Sequence, residues 1–460
     1  MKWNNLSLHK IKWICSFIVV LLPFFCSISN IFQKYLAVTL WAIMMWMFEL
    51  LPEEIVAIML PGLYILFDIT NYATAFSAWT TSTPWITLGG LMIGGMIVKS
   101  GLVLRIAYKS LLLTKGSLKG IVWGIVLTCT IFTPLIPSIM AKVALLVPVV
   151  IGICKVLKVE AKSATASALM LVVFFALWSP KMAFMTASTD SILTAGILEQ
   201  YLGVKITWLA WAKDMFIPGI LWMLVSIPLI YILRPQHLNL NKEYLKIEYR
   251  KLGKITIDEK KTVTLITALL ILLIFSSWHK LPEGVLMLGI GCLGFFPGIG
   301  LLKSDDFSKI QFKVVFFLAG AVTIGAVAPS IGITESVINF VQPYFEQMNS
   351  YELVMSIYIF SILANFLLNP LALIATLMIP IANLCSNLGY SATIGGYSMI
   401  MGFNQALFPY EIAPLMLVYG FGYLKLTHLI KVMVFRVVAG IIFMTVVTYP
   451  YWLYIGLLDK

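Results

Sequence analysis

Pro134-Leu135-Ile136-Pro137-Ser138-Ile139-Met140-Ala141-Lys142 lies in the middle of an otherwise apolar run between Lys119 and Lys155. Prolines withhold backbone donors and bend helices. A charged side chain at membrane depth costs about 2.5–3.5 kcal/mol by insertion scales. The stretch therefore reads as the tip of a helical hairpin. Two full crossings need about 20 residues each plus a turn, more than the run between the two lysines provides. A re-entrant hairpin over about 120–155, entering from the cytoplasmic side, fits the length. Irregular backbone at that depth is tolerated where protein or a water-filled cavity covers it.

The rest of the chain supports a membrane setting. Of 460 residues, 60% are hydrophobic and 11% charged, and the mean hydropathy is +0.96. A soluble chain carries about 25% charged residues, so the sequence is an all-α polytopic membrane protein whose surroundings are the lipid bilayer. Soluble enzyme, nucleic-acid binder and secreted scaffold are excluded. Cys15, Cys26, Cys129, Cys154, Cys292 and Cys385 are scattered singly and read as buried free thiols. His9, His237, His279 and His428 fall at ends or in loops, with His279 beside Trp278 at an interface. No catalytic or metal-binding constellation, and no cofactor, is expected.

Basic clusters mark the cytoplasmic face. They are Arg105, Lys109, Lys115 and Lys119; Lys155, Lys158 and Lys162; a polar linker at 234–261 that holds Lys242 and Arg250; Lys303, Lys309 and Lys313; and Lys425, Lys431 and Arg436. Residues 335–352 carry Glu335, Glu346 and Glu352 with no Lys or Arg, which suits the outer face. The apolar run Trp13–Ile31 follows Lys10 and Lys12 without an A-x-A-like cleavage site, so a retained first helix with a cytoplasmic N-terminus is expected. An odd helix count then puts the C-terminus outside, in a plasma-membrane protein.

The second half repeats the first. Leu88-Gly89-Gly90 recurs as Leu318-Ala319-Gly320, offset by 230 residues, and Leu146-Val147-Pro148-Val149 as Met378-Ile379-Pro380-Ile381, offset by 232. A second apolar hairpin, about 353–388, breaks at Asn369-Pro370 and follows the acidic outer stretch. The organisation expected is a first half (1–233), the linker (234–261) and a second half (262–460) with opposed hairpins. Inverted repeats of this kind hold substrate at the midplane between broken helices.

Four charges at depth demand a reason: Lys142, Lys181, Asp190 and Glu411. Ala187-Ser188-Thr189-Asp190-Ser191 is rich in hydroxyls that compete with the backbone, and Phe408–Pro414 holds two prolines. Both should break a helix. The candidate substrate- and ion-binding residues are Ser138, Lys142, Ser188, Thr189, Asp190, Asn369, Thr376 and Glu411. Structural alternatives are a snorkelling Lys181 and a paired, structural Asp190.

On Leu88 through Leu102, Pro148, Pro380, Ala195-Gly196-Ile197-Leu198-Glu199, Phe408–Pro414 and Val418-Tyr419-Gly420, the sequence resembles the divalent anion:sodium symporter family from about residue 35 onward. The resemblance implies eleven transmembrane helices, a homodimer and elevator motion of a transport domain against a scaffold. It also implies Ser-Asn-Thr triplets at the hairpin tips that bind sodium and carboxylates. The first aligns with Ser138-Ile139-Met140 and the second with Pro370-Leu371-Ala372, with Asn369 just before it. The partner motif falls on Ala187–Ser191 and Glu411–Leu415. The expectation is a secondary transporter of a small anion such as a dicarboxylate. Sodium coupling is left open, because most triplet oxygens are missing and Lys142 stands one turn beyond Ser138. The other readings are a sodium-independent exchanger of another solute, a non-transporting membrane partner, a channel and a membrane-embedded enzyme.

Overall fold

The computed structural model describes residues 2–48, 50–114, 116–203, 206–238, 240 and 242–459. Lys115 and the side chains of His9 and Lys242 lie outside the described residues. Regular structure among the described residues is helical throughout.

Helix α1 (Lys2–Leu21) does not run on to Ile31. Pro23 cannot continue the ladder of backbone hydrogen bonds, and a short 3₁₀ turn, Leu22–Phe25, leads instead to α2 (Asn30–Phe48). The single helix expected over Trp13–Ile31 is thus two pieces. Because α1 packs chiefly on α2, its outer face stays open. Cys15 and Cys26 are exposed there rather than buried, whereas Cys129, Cys154 and Cys385 lie in the core.

The first half continues with α3 (Glu53–Leu66), α4 (Ser82–Lys99), α5 (Leu102–Leu113), α6 (Leu118–Phe132), α7 (Ile139–Val156), α8 (Ala164–Trp178), α9 (Thr189–Leu202) and α10 (Trp208–Ser226). A polar helix, α11 (Lys242–Lys251), precedes the second half. That half comprises α12 (Ile257–Ile274), α13 (Glu283–Leu293), α14 (Phe312–Ser330), α15 (Ile333–Val341), α16 (Ser350–Ala364), α17 (Pro370–Asn387), α18 (Ala392–Phe403), α19 (Ala413–Gly420) and α20 (Leu426–Phe443). The helices α13, α14, α16 and α17 start about 230 residues after α3, α4, α6 and α7.

Among the described residues, seven helices are long and apolar enough to cross a membrane. The pair α4–α5, bent by 64°, makes an eighth. The bend falls on Gly101, whose φ of 79° lies in the left-handed region that favours glycine. By this measure the eleven crossings that the resemblance implies are not reached. The apolar helices α6, α13 and α16 are 15, 11 and 15 residues long, too short for a straight passage of a hydrocarbon core about 30 Å thick.

The repeated glycine motif has a packing cause. A Cβ on Gly89 would stand 2.3 Å from the Met287 backbone of α13, and one on Gly320 would stand 2.2 Å from the Ala57 carbonyl of α3. Each half thus lays its motif helix against the preceding helix of the other half, α4 on α13 and α14 on α3. Small residues allow this close backbone approach, and van der Waals contact drives association where lipid is as apolar as the side chains.

Arg105 pins the linker. Its Nε donates to Glu259 Oε1 at 2.5 Å, and its two terminal nitrogens donate to the carbonyls of Leu252, Gly253 and Lys254 at 3.0–3.2 Å.

Candidate functional site

Each hairpin turns just before the second of its helices, and a polar side chain caps that helix. Ser138 Oγ accepts from the Ala141 backbone N–H at 3.2 Å, and Asn369 Oδ1 from that of Ala372 at 2.9 Å. Ser138 and Asn369 are counterparts, so the second tip motif begins at Asn369. That is one residue before the register expected from the triplets.

The two broken helices restart in matching fashion. After α8 ends at Trp178, two 3₁₀ turns lead to extended backbone at Ser188 (φ −154°, ψ 155°), and α9 begins at Thr189. After α18 ends at Phe403, a 3₁₀ turn at Pro409–Glu411 leads to extended Ile412 (φ −139°, ψ 116°), and α19 begins at Ala413. The N-termini of α7, α9, α17 and α19 meet at one cavity of about 200 Å³. Its walls hold Ser138, Ser188, Thr189, Asp190, Asn369 and Glu411, with Glu53, Trp178 and Gln311. Helix N-termini present unpaired N–H groups and the positive end of the helix dipole, the environment that receives anions.

Two of the eight candidates lie off this cavity. Thr376 turns back on its own helix, its hydroxyl donating to Ala372 O at 3.0 Å. It faces a larger cleft of about 630 Å³ among α2, α14, α16 and α17, walled almost wholly by aliphatic and aromatic side chains. An apolar cleft offers a charged solute no partner, so size does not make it the site. Lys142 is buried behind the cavity wall, and its Nζ donates to Ala187 O at 3.3 Å, next to Ser188.

The ion pairing has a definite order. Asp190 is bound by Lys181, whose ammonium also sits 3.3 Å from the centre of the Trp178 ring. Lys181 is thus buried and paired, and does not snorkel. Glu411 accepts from the backbone N–H groups of Leu407 (3.1 Å) and Phe408 (2.8 Å), and from Asn365 Nδ2 (3.3 Å). Asn369 Nδ2 donates to Glu53 Oε1 at 3.0 Å.

Arg436, grouped above with Lys425 and Lys431 at the cytoplasmic face, is fully buried. It lies on the inward stripe of α20 with Leu429, Val432, Met433 and Gly440. Its guanidinium donates to Asn404 O (2.7 Å), Asn404 Oδ1 (2.6 Å), Ser179 Oγ (3.1 Å) and Gln405 Oε1 (3.2 Å). Trp178 and Asn404 are clasped reciprocally: Trp178 Nε1 donates to Asn404 O at 2.9 Å, and Asn404 Nδ2 to Trp178 O at 3.0 Å. Arg436 thereby ties the ends of α8 and α18 together behind the cavity.

Sequence reasoning missed Glu53, Trp178, Gln311 and the Arg436–Asn404 clasp. Glu53 had a readable signal, since Pro52-Glu53 recurs as Pro282-Glu283 at the offset of the other repeats.

The sequence matches, over residues 4–458, the family model described as the sodium:sulfate symporter transmembrane region. It is 26% identical to dicarboxylate transporter 1 of the spinach chloroplast over 250 residues, which cover 53% of this chain and 44% of that protein. It is 23% identical to the Escherichia coli L-tartrate/succinate antiporter over 484 aligned residues, 94% of this chain and 96% of that protein. The E. coli inner membrane protein YbhI is 21% identical over 72% of each chain. The chain spans only 38–50% of the length of the spinach, Arabidopsis and Cupriavidus relatives.

Proposed function

The chain belongs to the sodium:sulfate symporter family of membrane transporters, and from that premise we propose that it is a secondary transporter carrying a small anion of the dicarboxylate class. The observation that carries this reading is the meeting of four helix N-termini, those of α7, α9, α17 and α19, at one small cavity with polar side chains in its walls. Two carboxylates of one solute can each lie on a pair of them. The relatives named as dicarboxylate transporters and as a tartrate/succinate antiporter support the same solute class.

In this reading the solute sits between the tips at Ser138 and Asn369, and access alternates as the two hairpins open to opposite sides. A transport domain built from the hairpins and broken helices moves against a scaffold, as an elevator, within a homodimer. The protein lies in the plasma membrane with its N-terminus in the cytoplasm.

Coupling is proposed to dispense with sodium. Hard cations take oxygen ligands, and the tip positions Ile139, Met140 and Leu371 carry none on their side chains. The Lys142 amine, held at the Ala187 carbonyl, takes the place of a cation near the first tip. Exchange of one anion for another is then the natural mode.

Radiolabelled succinate uptake into proteoliposomes preloaded with unlabelled succinate tests this. Saturable exchange, unchanged by a sodium gradient, is expected. Unsaturable conductance favours a channel, and no flux favours a non-transporting partner. Uptake that requires sodium removes the sodium-free part of the reading.

A further inference from the structure

We propose that Arg436, which is not among the residues lining the cavity, sets the length of diacid that the cavity accepts. This rests on the transport reading above and deepens it. In that reading one carboxylate lies on α7 and α9 and the other on α17 and α19. The length of the solute is then matched to the distance between the two half-sites, so whatever holds that distance is a positioning element for specificity.

A continuous run of contacts holds it, with Arg436 at the centre. In the first half, Asp190 in the first turn of α9 is bound by Lys181, whose side chain lies against the Trp178 ring at the end of α8. The next residue, Ser179, accepts from the Arg436 guanidinium at 3.1 Å. In the second half the guanidinium donates twice to Asn404 and once to the Gln405 side chain, just past the end of α18. The Gln405 carbonyl accepts from Asn365 Nδ2 at 3.1 Å, and the same nitrogen donates to Glu411 at the restart into α19. Each restart is tied back to its own helix end, and Arg436 ties the two helix ends to each other.

The residue type is informative. Arg436 is fully buried, its guanidinium lies over the rings of Trp222 (4.9 Å) and Phe175 (5.2 Å), and among the described residues no carboxylate pairs with it. Burying a charge is a costly way to stabilise a fold, and apolar side chains of similar volume often do as well or better. A planar fork, however, fixes several acceptors in one geometry, which neither an apolar group nor the point charge of a lysine can do. The cost is intelligible where a distance is what must be held.

Malonate, succinate and glutarate differ by one methylene each, so together they read that distance. Exchange of each radiolabelled diacid is measured in proteoliposomes of the parent protein, of Arg436→Lys and of Ser179→Ala. The lysine keeps a cationic group and loses the fork; the alanine removes one acceptor from it. The parent is expected to favour one length over its neighbours by about tenfold or more in kcat/KM. In Arg436→Lys the ratio should fall towards one, mainly through KM. A tie that only stabilised the fold would lower the melting temperature and leave the ratio as it was, so an unchanged ratio in Arg436→Lys overturns the proposal. Where that variant does not fold, Ser179→Ala decides by the same ratio, which should fall part of the way. A parent that carries all three diacids equally overturns the proposal and leaves the transport reading standing. A parent that carries none overturns both.

Discussion

Lys142, Lys181 and Arg436 place three formal positive charges around the cavity, against Asp190 and Glu411 on the negative side. The lysines and carboxylates were legible in the sequence because each is anomalous in an apolar run. Arg436 was not, because Lys425 and Lys431 nearby made it look like part of a surface cluster. Its position on the i, i+3, i+4, i+7 stripe with Leu429, Val432 and Met433 was the signal that distinguishes it. What the sequence could not give was the pairing. Asp190 belongs to Lys181, nine residues away, and Lys142 is left on a backbone carbonyl. Two predictions follow at this scale. Asp190→Asn leaves the Lys181 ammonium buried and uncompensated, and should lower stability by about 3–5 kcal/mol. A thermal-unfolding comparison in detergent checks it, and an unchanged midpoint would show that the pair is not a structural tie. Lys142→Ala, if its charge stands in for a cation, should lose exchange and regain it when sodium is added. An unstable variant that sodium does not rescue makes Lys142 structural.

Between residues and the whole lie the hairpins and the glycine contacts. Prolines announced the first tip, and Asn369-Pro370 the second. The register at the second tip slipped by one residue, because only the capping geometry shows that Asn369, and not Pro370, plays the part of Ser138. The glycine repeat was visible as a pattern, but its meaning needed the partner helices α13 and α3. Gly320→Ala should therefore be strongly destabilising, since its Cβ meets the backbone of α3 and backbone cannot yield as a side chain can. Gly62→Ala, in α3 with open space around it, should leave the melting temperature unchanged or raise it slightly, as helix propensity favours alanine by about 1 kcal/mol. Equal effects of the two substitutions would contradict the packing explanation.

At the scale of the molecule, hydropathy and basic clusters were enough to identify a polytopic helical membrane protein, and its family followed from scattered motifs. The number of crossings was not legible, since several apolar helices are shorter than the bilayer and two of them belong to hairpins. The proposed opposition of the two hairpins requires opposite sides for the acidic stretch and the linker. Maleimide should label Glu346→Cys from outside, and Arg250→Cys only after permeabilisation. Reversed accessibility at both sites would contradict the proposed topology. The central claim is that one solute is held between both hairpin tips. The direct measurement is the alkylation rate at Ser138→Cys and, separately, at Asn369→Cys, each in a background lacking the exposed Cys15 and Cys26, with and without succinate. The anion that is exchanged should slow both sites over the same concentration range. Protection at neither site, or at only one, while exchange proceeds in the parent protein would place the solute elsewhere and contradict the account.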